Sequence, residues 1–111
     1  MIGTLTMDDY QAFAQTTAVF KTDGLVYCAL GVAGEAGEYV DKVKKTLRGD
    51  TDKNDPEVKK SLALELGDLL WYVASSALQL GYSLQDIAEM NQQKLLDRRS
   101  RGLLQGSGDN R

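Results

Sequence analysis

The 111-residue chain has the length of one small domain, and a composition of 42% hydrophobic and 26% charged residues is typical of a globular protein. It contains no histidine, which excludes serine–histidine–aspartate and cysteine–histidine catalysis and any histidine metal ligand. A net charge of −3 makes it a poor candidate for binding polymeric nucleic acid, because that binding depends on neutralising phosphates.

Cysteine content and hydropathy predict a cytoplasmic protein that does not enter a membrane. Cys28 is the single cysteine, and in its apolar stretch we interpret it as a small buried residue. No apolar run approaches the roughly 18 residues of a membrane span, and "MIGTLTMDDY" lacks the layout of a signal peptide. A domain of this size buries only a modest core, so self-association is expected.

The first half of the chain predicts two helices. The first lies in "TMDDYQAFAQTTAVF", with Thr6 as its cap and Val19 and Phe20 as an extension of its end. After the break at "KTDG", the second covers residues 25–47, and Gly49 is a natural stop.

The second half predicts two further helices and a tail. Residues 56–80 form the third helix, with Asp55 as its cap and a core face of Leu62, Leu66, Leu69, Val73, Ala77 and Leu80. Ser83 and Asp86 resemble a capping pair for the fourth, which ends near residue 99. The chain therefore reads as an all-α bundle of four to five helices over residues 1–101, followed by a glycine-rich tail, residues 102–111.

Two pairs of acidic residues suggest a metal site. Glu35 and Glu38 lie three residues apart on the second helix, and Glu65 and Asp68 repeat this spacing among apolar neighbours of the third. Four carboxylates converging from two antiparallel helices would repel, and a cluster with only oxygen ligands favours Mg²⁺ or Mn²⁺. The alternative is two solvated acidic pairs; a di-iron carboxylate bundle would require Glu-x-x-His motifs, which are absent.

Three glycines, Gly31, Gly34 and Gly37, accompany the first acidic pair. Each weakens a helix by about 1 kcal/mol relative to alanine. Their three-residue spacing predicts that another backbone or a bulky ligand approaches this side of the helix closely.

Basic residues near these acids are candidates for binding phosphate groups. Four follow the first acidic pair: Lys42, Lys44, Lys45 and Arg48. On the fourth helix, Asn91, Lys94 and Arg98 share one face. They would neutralise a polyphosphate, or else they form solvated helix ends.

The motifs "GEAGE", "ELGDLLWYV" and "NQQKLLDR", in this order on successive helices, resemble MazG-like nucleoside triphosphate pyrophosphohydrolases over about residues 5–99. The resemblance implies an all-α bundle that forms a homodimer or homotetramer and cleaves an NTP or dNTP to the monophosphate and pyrophosphate. It further implies roles for matching residues: Glu35, Glu38, Glu65 and Asp68 as Mg²⁺ or Mn²⁺ ligands, Glu38 also as the base for the attacking water, and Asn91, Lys94 and Arg98 at the phosphates. Lys42 is added to the expected phosphate-binding residues because it follows the first acidic pair.

One position departs from the family pattern, since Leu64 stands where many members carry a further acid before the E-x-x-D glutamate. This leaves the number of metal ions open. Two alternatives also stay open: a non-catalytic helical module that binds a nucleotide or a protein, and a phosphoribosyl-ATP pyrophosphatase. Five aromatic residues are possible stacking partners of a base, although most of them are expected in the core: Tyr10, Phe13, Phe20, Trp71 and Tyr72. The residues that recognise the base itself are not identified by the sequence.

Overall fold

The computed structural model describes residues 3–111, which form the helices α1 (Met7–Gln15), α2 (Gly24–Arg48), α3 (Pro56–Gln79) and α4 (Leu84–Ser100). No strand occurs in this range, so the predicted all-α class is confirmed with four helices. The first two residues of the predicted domain 1–101 lie outside the described residues. Within residues 3–111, no helix is long and apolar enough to cross a membrane.

The predicted caps are present at three helix starts. Thr6 forms a reciprocal capping box with Asp9, and Ser83 forms another with Asp86, each supplying partners for amides that the first helical turn leaves unbonded. The Asp55 carboxylate accepts from the amide of Glu57, one residue after Pro56. These local signals are therefore sufficient to place the helix starts.

The predicted extension of α1 through Val19 and Phe20 is wrong, because the helix ends at Gln15. The Thr16 and Thr17 hydroxyls donate to the carbonyls of Phe13 and Ala14, at 2.6 and 2.7 Å. Such local bonds compete with helix continuation.

The main structural unit is an antiparallel hairpin of α2 and α3. Its register follows from cross-helix neighbours: a Cβ on Gly24 or Gly31 would meet Gln79 or Tyr72, respectively, and Lys42 bonds Ser61. The residue numbers in each pair have the same sum, as antiparallel neighbours must. This register places residue 35 opposite residue 68, and residue 38 opposite residue 65.

The buried apolar core is small and lies at the end of the hairpin near α1 and the start of α4. It consists of Ala14, Cys28, Ala74, Ala77 and Leu84. The interpretation of Cys28 as a buried residue is confirmed. Two residues of the predicted core face of α3, Leu66 and Leu80, are instead 46% and 56% exposed, because the buried residues of α3 are concentrated around Ala74 and Ala77, between these two positions.

A buried glutamine joins three helices. Gln11 on α1 donates to the carbonyls of Ala74 and Tyr82, at 3.0 and 3.2 Å, and its Oε1 accepts from the amide of Leu84 at 3.0 Å. Its amide group thus satisfies backbone groups that burial would otherwise leave unpaired. This anchor holds α1 across α3, with Tyr10 and Phe13 near the site described below.

The three glycines of α2 have different surroundings. A Cβ on Gly31 would lie 2.1 Å from the Tyr72 ring, whereas Gly34 and Gly37 have open space. Close approach therefore explains Gly31, where the partner is an aromatic side chain of α3. Gly34 and Gly37 lack a neighbour within the described chain.

We expect Gly31→Ala to destabilise the protein by about 1–3 kcal/mol, the usual effect of overpacking. Gly34→Ala and Gly37→Ala are matched controls and should each stabilise α2 by up to about 1 kcal/mol through helix propensity. Urea unfolding followed by circular dichroism measures all three. A Gly31→Ala protein as stable as Gly34→Ala would contradict the contact with Tyr72.

Candidate metal centre and aromatic cleft

Three of the four predicted acids meet between α2 and α3. Glu35, Glu65 and Asp68 each offer a carboxylate oxygen, and these oxygens lie within 4.8 Å of one another. The hairpin register explains the meeting, since Glu35 lies opposite Asp68 and Glu65 is one helical turn away. We call these residues the carboxylate cluster.

Electrostatic repulsion in the carboxylate cluster is visible at Glu35. Desolvation raises the pKa of its carboxyl, and the negative charges of Asp68, Glu65 and Glu38 raise that pKa further. Three carboxylates at this separation favour a bound cation that would offset their repulsion. The donor set, made only of oxygen, fits a hard divalent ion.

A lysine of the chain already supplies positive charge to the cluster. Lys42 Nζ lies 2.8 Å from Glu65 Oε1 and donates to Ser61 Oγ at 2.8 Å. The Glu65 side chain is only 14% exposed, so this pair is partly shielded from solvent. The position next to Glu65 therefore accommodates a cation.

Glu38, the fourth predicted acid, lies outside the carboxylate cluster although its charge acts on Glu35. It is opposite Glu65 in the hairpin register, and its side chain is exposed. Within residues 3–111 its carboxylate forms no hydrogen bond or ion pair. It is thus an accessible carboxylate at the edge of the cluster.

The predicted phosphate-binding residues of α4 lie elsewhere. The helix contacts α1 and α3 but not α2. Asn91 lines a separate cleft with Leu95 and Leu104, while Lys94 and Arg98 pair with Asp109 of the tail. The described chain does not bring these three residues to the carboxylate cluster.

An open cleft of about 540 Å³ adjoins the cluster. Glu35 and Asp68 lie on its wall together with Thr17 and Gly67. The rest of its lining is mainly aromatic: Tyr10, Phe13, Phe20, Tyr27, Trp71 and Tyr72. This volume is in the range of small-molecule sites, and aromatic faces suit a planar ring.

Contacts among these side chains shape the aromatic wall. Phe20 stacks on Tyr27 with ring centroids 4.9 Å apart, and Trp71 meets Tyr72 edge-on at 5.0 Å. Trp71 Nε1 donates to Thr17 Oγ1 at 2.8 Å. The indole is therefore oriented by a residue of the turn that follows α1.

Tyr27 and Thr17 were not identified from the sequence as residues of this cleft. Tyr27 lies eight residues before Glu35 and belongs to no motif, and Thr17 looked like part of a continuing helix. Tyr72 was named from the sequence as a possible stacking residue, and Gly31 was a further signal for its position, because a missing side chain implies a close neighbour on the facing helix.

Comparisons with known proteins agree with these features. Residues 27–102 match the model of the MazG nucleotide pyrophosphohydrolase domain. The chain is 43% identical over 112 aligned positions to the "Gene 37 protein" of Mycobacterium phage L5. The alignment covers 95% of this chain and 98% of the phage protein. No solved structure matches the chain.

Proposed function

The chain belongs to the MazG nucleotide pyrophosphohydrolase family, and we propose that it hydrolyses an NTP or dNTP to the monophosphate and pyrophosphate with Mg²⁺ or Mn²⁺. The observation that carries this proposal is the carboxylate cluster of Glu35, Glu65 and Asp68 on the wall of an aromatic cleft. A planar base and a metal-bound phosphate need these two surfaces side by side.

In the proposed reaction, the oxygen of water bonds to the α-phosphorus and the bond from that phosphorus to the bridging oxygen breaks. Pyrophosphate leaves with the electron pair of the broken bond. Glu35, Glu65 and Asp68 would hold the divalent ion, which would supply charge that stabilises the phosphate oxygens. Glu38, exposed beside them, would be the fourth ligand or would accept the proton of the attacking water.

The order of groups along α2 supports one orientation of the substrate. Tyr27 lies in the aromatic cleft, Glu35 in the cluster, and Lys42 about 10 Å farther along the helix. Lys42 uses two of its three N–H donors for Glu65 and Ser61, so one remains for a phosphate oxygen. The base would thus enter the aromatic cleft, and the leaving pyrophosphate would lie towards Lys42.

The surface of the chain supports assembly with a second copy as a homodimer or homotetramer. The accessible surface is 8115 Å², whereas a compact 12.2 kDa monomer exposes about 6,100 Å². Leu47 is 89% exposed on α2, and Val40 and Leu64 are each 61% exposed. The excess of about 2,000 Å² per chain is the size of an obligate interface.

Assembly would also account for the predicted phosphate-binding residues of α4. Asn91, Lys94 and Arg98 do not reach the carboxylate cluster of their own chain, so their proposed role at the phosphates requires the cleft of another copy. Sedimentation velocity measures the assembly. A monomer at micromolar concentration would refute it.

The function is tested by incubating the protein with each common NTP and dNTP and Mg²⁺ and separating the products. Monophosphate and pyrophosphate from at least one nucleotide are expected. Release of inorganic phosphate alone would contradict cleavage at the α-phosphorus. Nucleotide binding without any product would favour the non-catalytic module instead.

We expect Trp71→Leu to raise KM for the best nucleotide by about tenfold or more, because stacking of a base on an aromatic ring contributes about 1–3 kcal/mol. The change in kcat should be smaller, since the carboxylate cluster is retained. Tyr82→Leu is a matched control, because Tyr82 is an exposed aromatic residue outside the cleft. Equal KM values for the two variants would show that the indole does not contact the base.

A further inference from the structure

The tail, residues 102–111, folds back on α4. The amide of Leu103 donates to the carbonyl of Arg98 at 2.7 Å, and the Arg111 guanidinium donates to the carbonyls of Leu103 and Gly108 at 3.1 and 2.8 Å. Arg101 in turn donates to the Arg111 carbonyl at 2.7 Å. These bonds close the tail into a loop.

Glycine is required for this path. Residues 102, 106 and 108 all have positive φ, at 70°, 131° and 83°, which side chains rarely allow. Gly108, the last of the three, is the residue directly before Asp109. The loop therefore has a sequence-encoded shape that presents one carboxylate to α4.

Asp109 contacts two cations of α4 through a single oxygen. Its Oδ1 lies 3.2 Å from Lys94 Nζ and 3.2 Å from Arg98 Nη2. Hydrogen bonds from Lys94 and then Arg98 hold the pKa of Asp109 below its usual range. The carboxylate is thus an anion bound between the two side chains that were predicted to hold phosphate.

Arg98 is incompletely satisfied by the tail. Its side chain is only 8% exposed, yet its Nε has no hydrogen-bond partner in residues 3–111. Among residues 3–111, the bonds that the guanidinium donates come from Nη2 and go to Asp109 and, at 3.4 Å, to the Gly108 carbonyl. A buried guanidinium with an unused donor favours a ligand with more acceptor oxygens than this one carboxylate supplies.

We propose that the tail is an intramolecular competitor: Asp109 occupies the Lys94–Arg98 cation pair, and a polyphosphate must displace it to bind there. The inference rests on the proposed function only in naming nucleotide phosphates as the displacing ligand. Displacement is feasible because Asp109 is 81% exposed and Lys94 is 43% exposed, so solvent screens their ion pair and a ligand can approach Arg98 from the side of the carboxylate. A polyphosphate carries more charge and more oxygens, so it binds the pair better.

The first test compares Asp109→Asn with wild type in binding tripolyphosphate, measured by isothermal titration in EDTA. Without divalent ions the carboxylate cluster repels this probe, so the α4 cations dominate binding. The variant should bind about two- to five-fold more tightly, the range expected when the competing carboxylate is itself exposed to solvent. Glu89→Gln is the matched control, because it removes an exposed carboxylate of α4 that contacts Gln85 and neither cation.

Equal affinities of the Asp109→Asn and Glu89→Gln proteins would overturn the proposal, as would the absence of binding in every protein. A second measurement follows the tail itself through backbone ¹⁵N–¹H heteronuclear NOE values of residues 104–110. These values should fall when tripolyphosphate binds the wild type. Unchanged values at saturation would show that the tail is not displaced.

The outcomes separate this inference from the proposed function. Tripolyphosphate has no base, and binding in EDTA requires no hydrolysis. An Asp109→Asn effect in a protein that hydrolyses no nucleotide would leave the competitor intact and refute only the reaction. Hydrolysis together with identical Asp109→Asn and Glu89→Gln affinities would refute only the competitor.

Discussion

Asp68→Asn should lower kcat/KM for nucleotide hydrolysis by about 10²–10³-fold, the usual effect of removing one group that stabilises charge in a transition state. The side chain keeps its shape but loses the negative charge that completes the carboxylate cluster with Glu35 and Glu65. Steady-state kinetics on the best nucleotide measures the loss. Circular dichroism should show an unchanged helical fold.

Asp41→Asn is the matched control for this variant. Asp41 lies on α2 beside the site, but its carboxylate pairs with Lys44 and Lys45 and is outside the cluster. It should retain activity close to wild type. Full activity in Asp68→Asn would contradict the metal role of that residue.

Glu38→Gln, in the same assay, tests the proposed base separately. If Glu38 only accepts the proton of the attacking water, kcat falls while stabilisation by Mg²⁺ persists. If Glu38 also binds the ion, both kcat and the stabilisation by Mg²⁺ fall. Wild-type kinetics in this variant would rule out either role.

A divalent cation should stabilise the folded protein because it offsets repulsion within the carboxylate cluster. At 100 times its dissociation constant, Mg²⁺ or Mn²⁺ adds about 2.7 kcal/mol by mass action. For a domain of this size, that corresponds to a rise in Tm of roughly 10 °C. Differential scanning fluorimetry across a titration of each ion measures it.

Two controls make the stability experiment specific. NaCl at matched ionic strength accounts for general screening. Glu35→Gln removes the carboxylate whose pKa is raised by desolvation and by the neighbouring acids, so its metal-free form should melt above wild type and respond less to Mg²⁺. A wild-type Tm that is the same in Mg²⁺ and in matched NaCl would exclude a shared site.

Local sequence patterns were sufficient for the secondary structure except at the end of α1. Helix caps act over three or four residues, so they can be predicted without knowledge of tertiary contacts. This applies to the capping boxes at Thr6 and Ser83 and to Asp55 before Pro56. The end of α1 was misjudged because Thr16 and Thr17 bond back to the helix, and threonine is compatible with either outcome.

The candidate metal centre was predictable in part, because the spacing of its acidic pairs is also a local pattern. Spacing within one helix is set by its period, so each acidic pair must share a face. Which oxygens meet depends on the register between α2 and α3. That register is set by packing, such as the Tyr72 ring against Gly31, and it brings Glu35 and Asp68 together while Glu38 stays at the edge.

The sequence by itself determined the all-α class, the helix starts and the acidic pairs, because these depend on neighbours within one or two helical turns. Only the tertiary structure decided that Lys42 pairs with Glu65, that aromatic residues of three helices and of the loop after α1 form one cleft, and that Asp109 lies between Lys94 and Arg98. Such contacts join side chains distant in sequence or held in irregular loops, and their geometry follows from packing and backbone path.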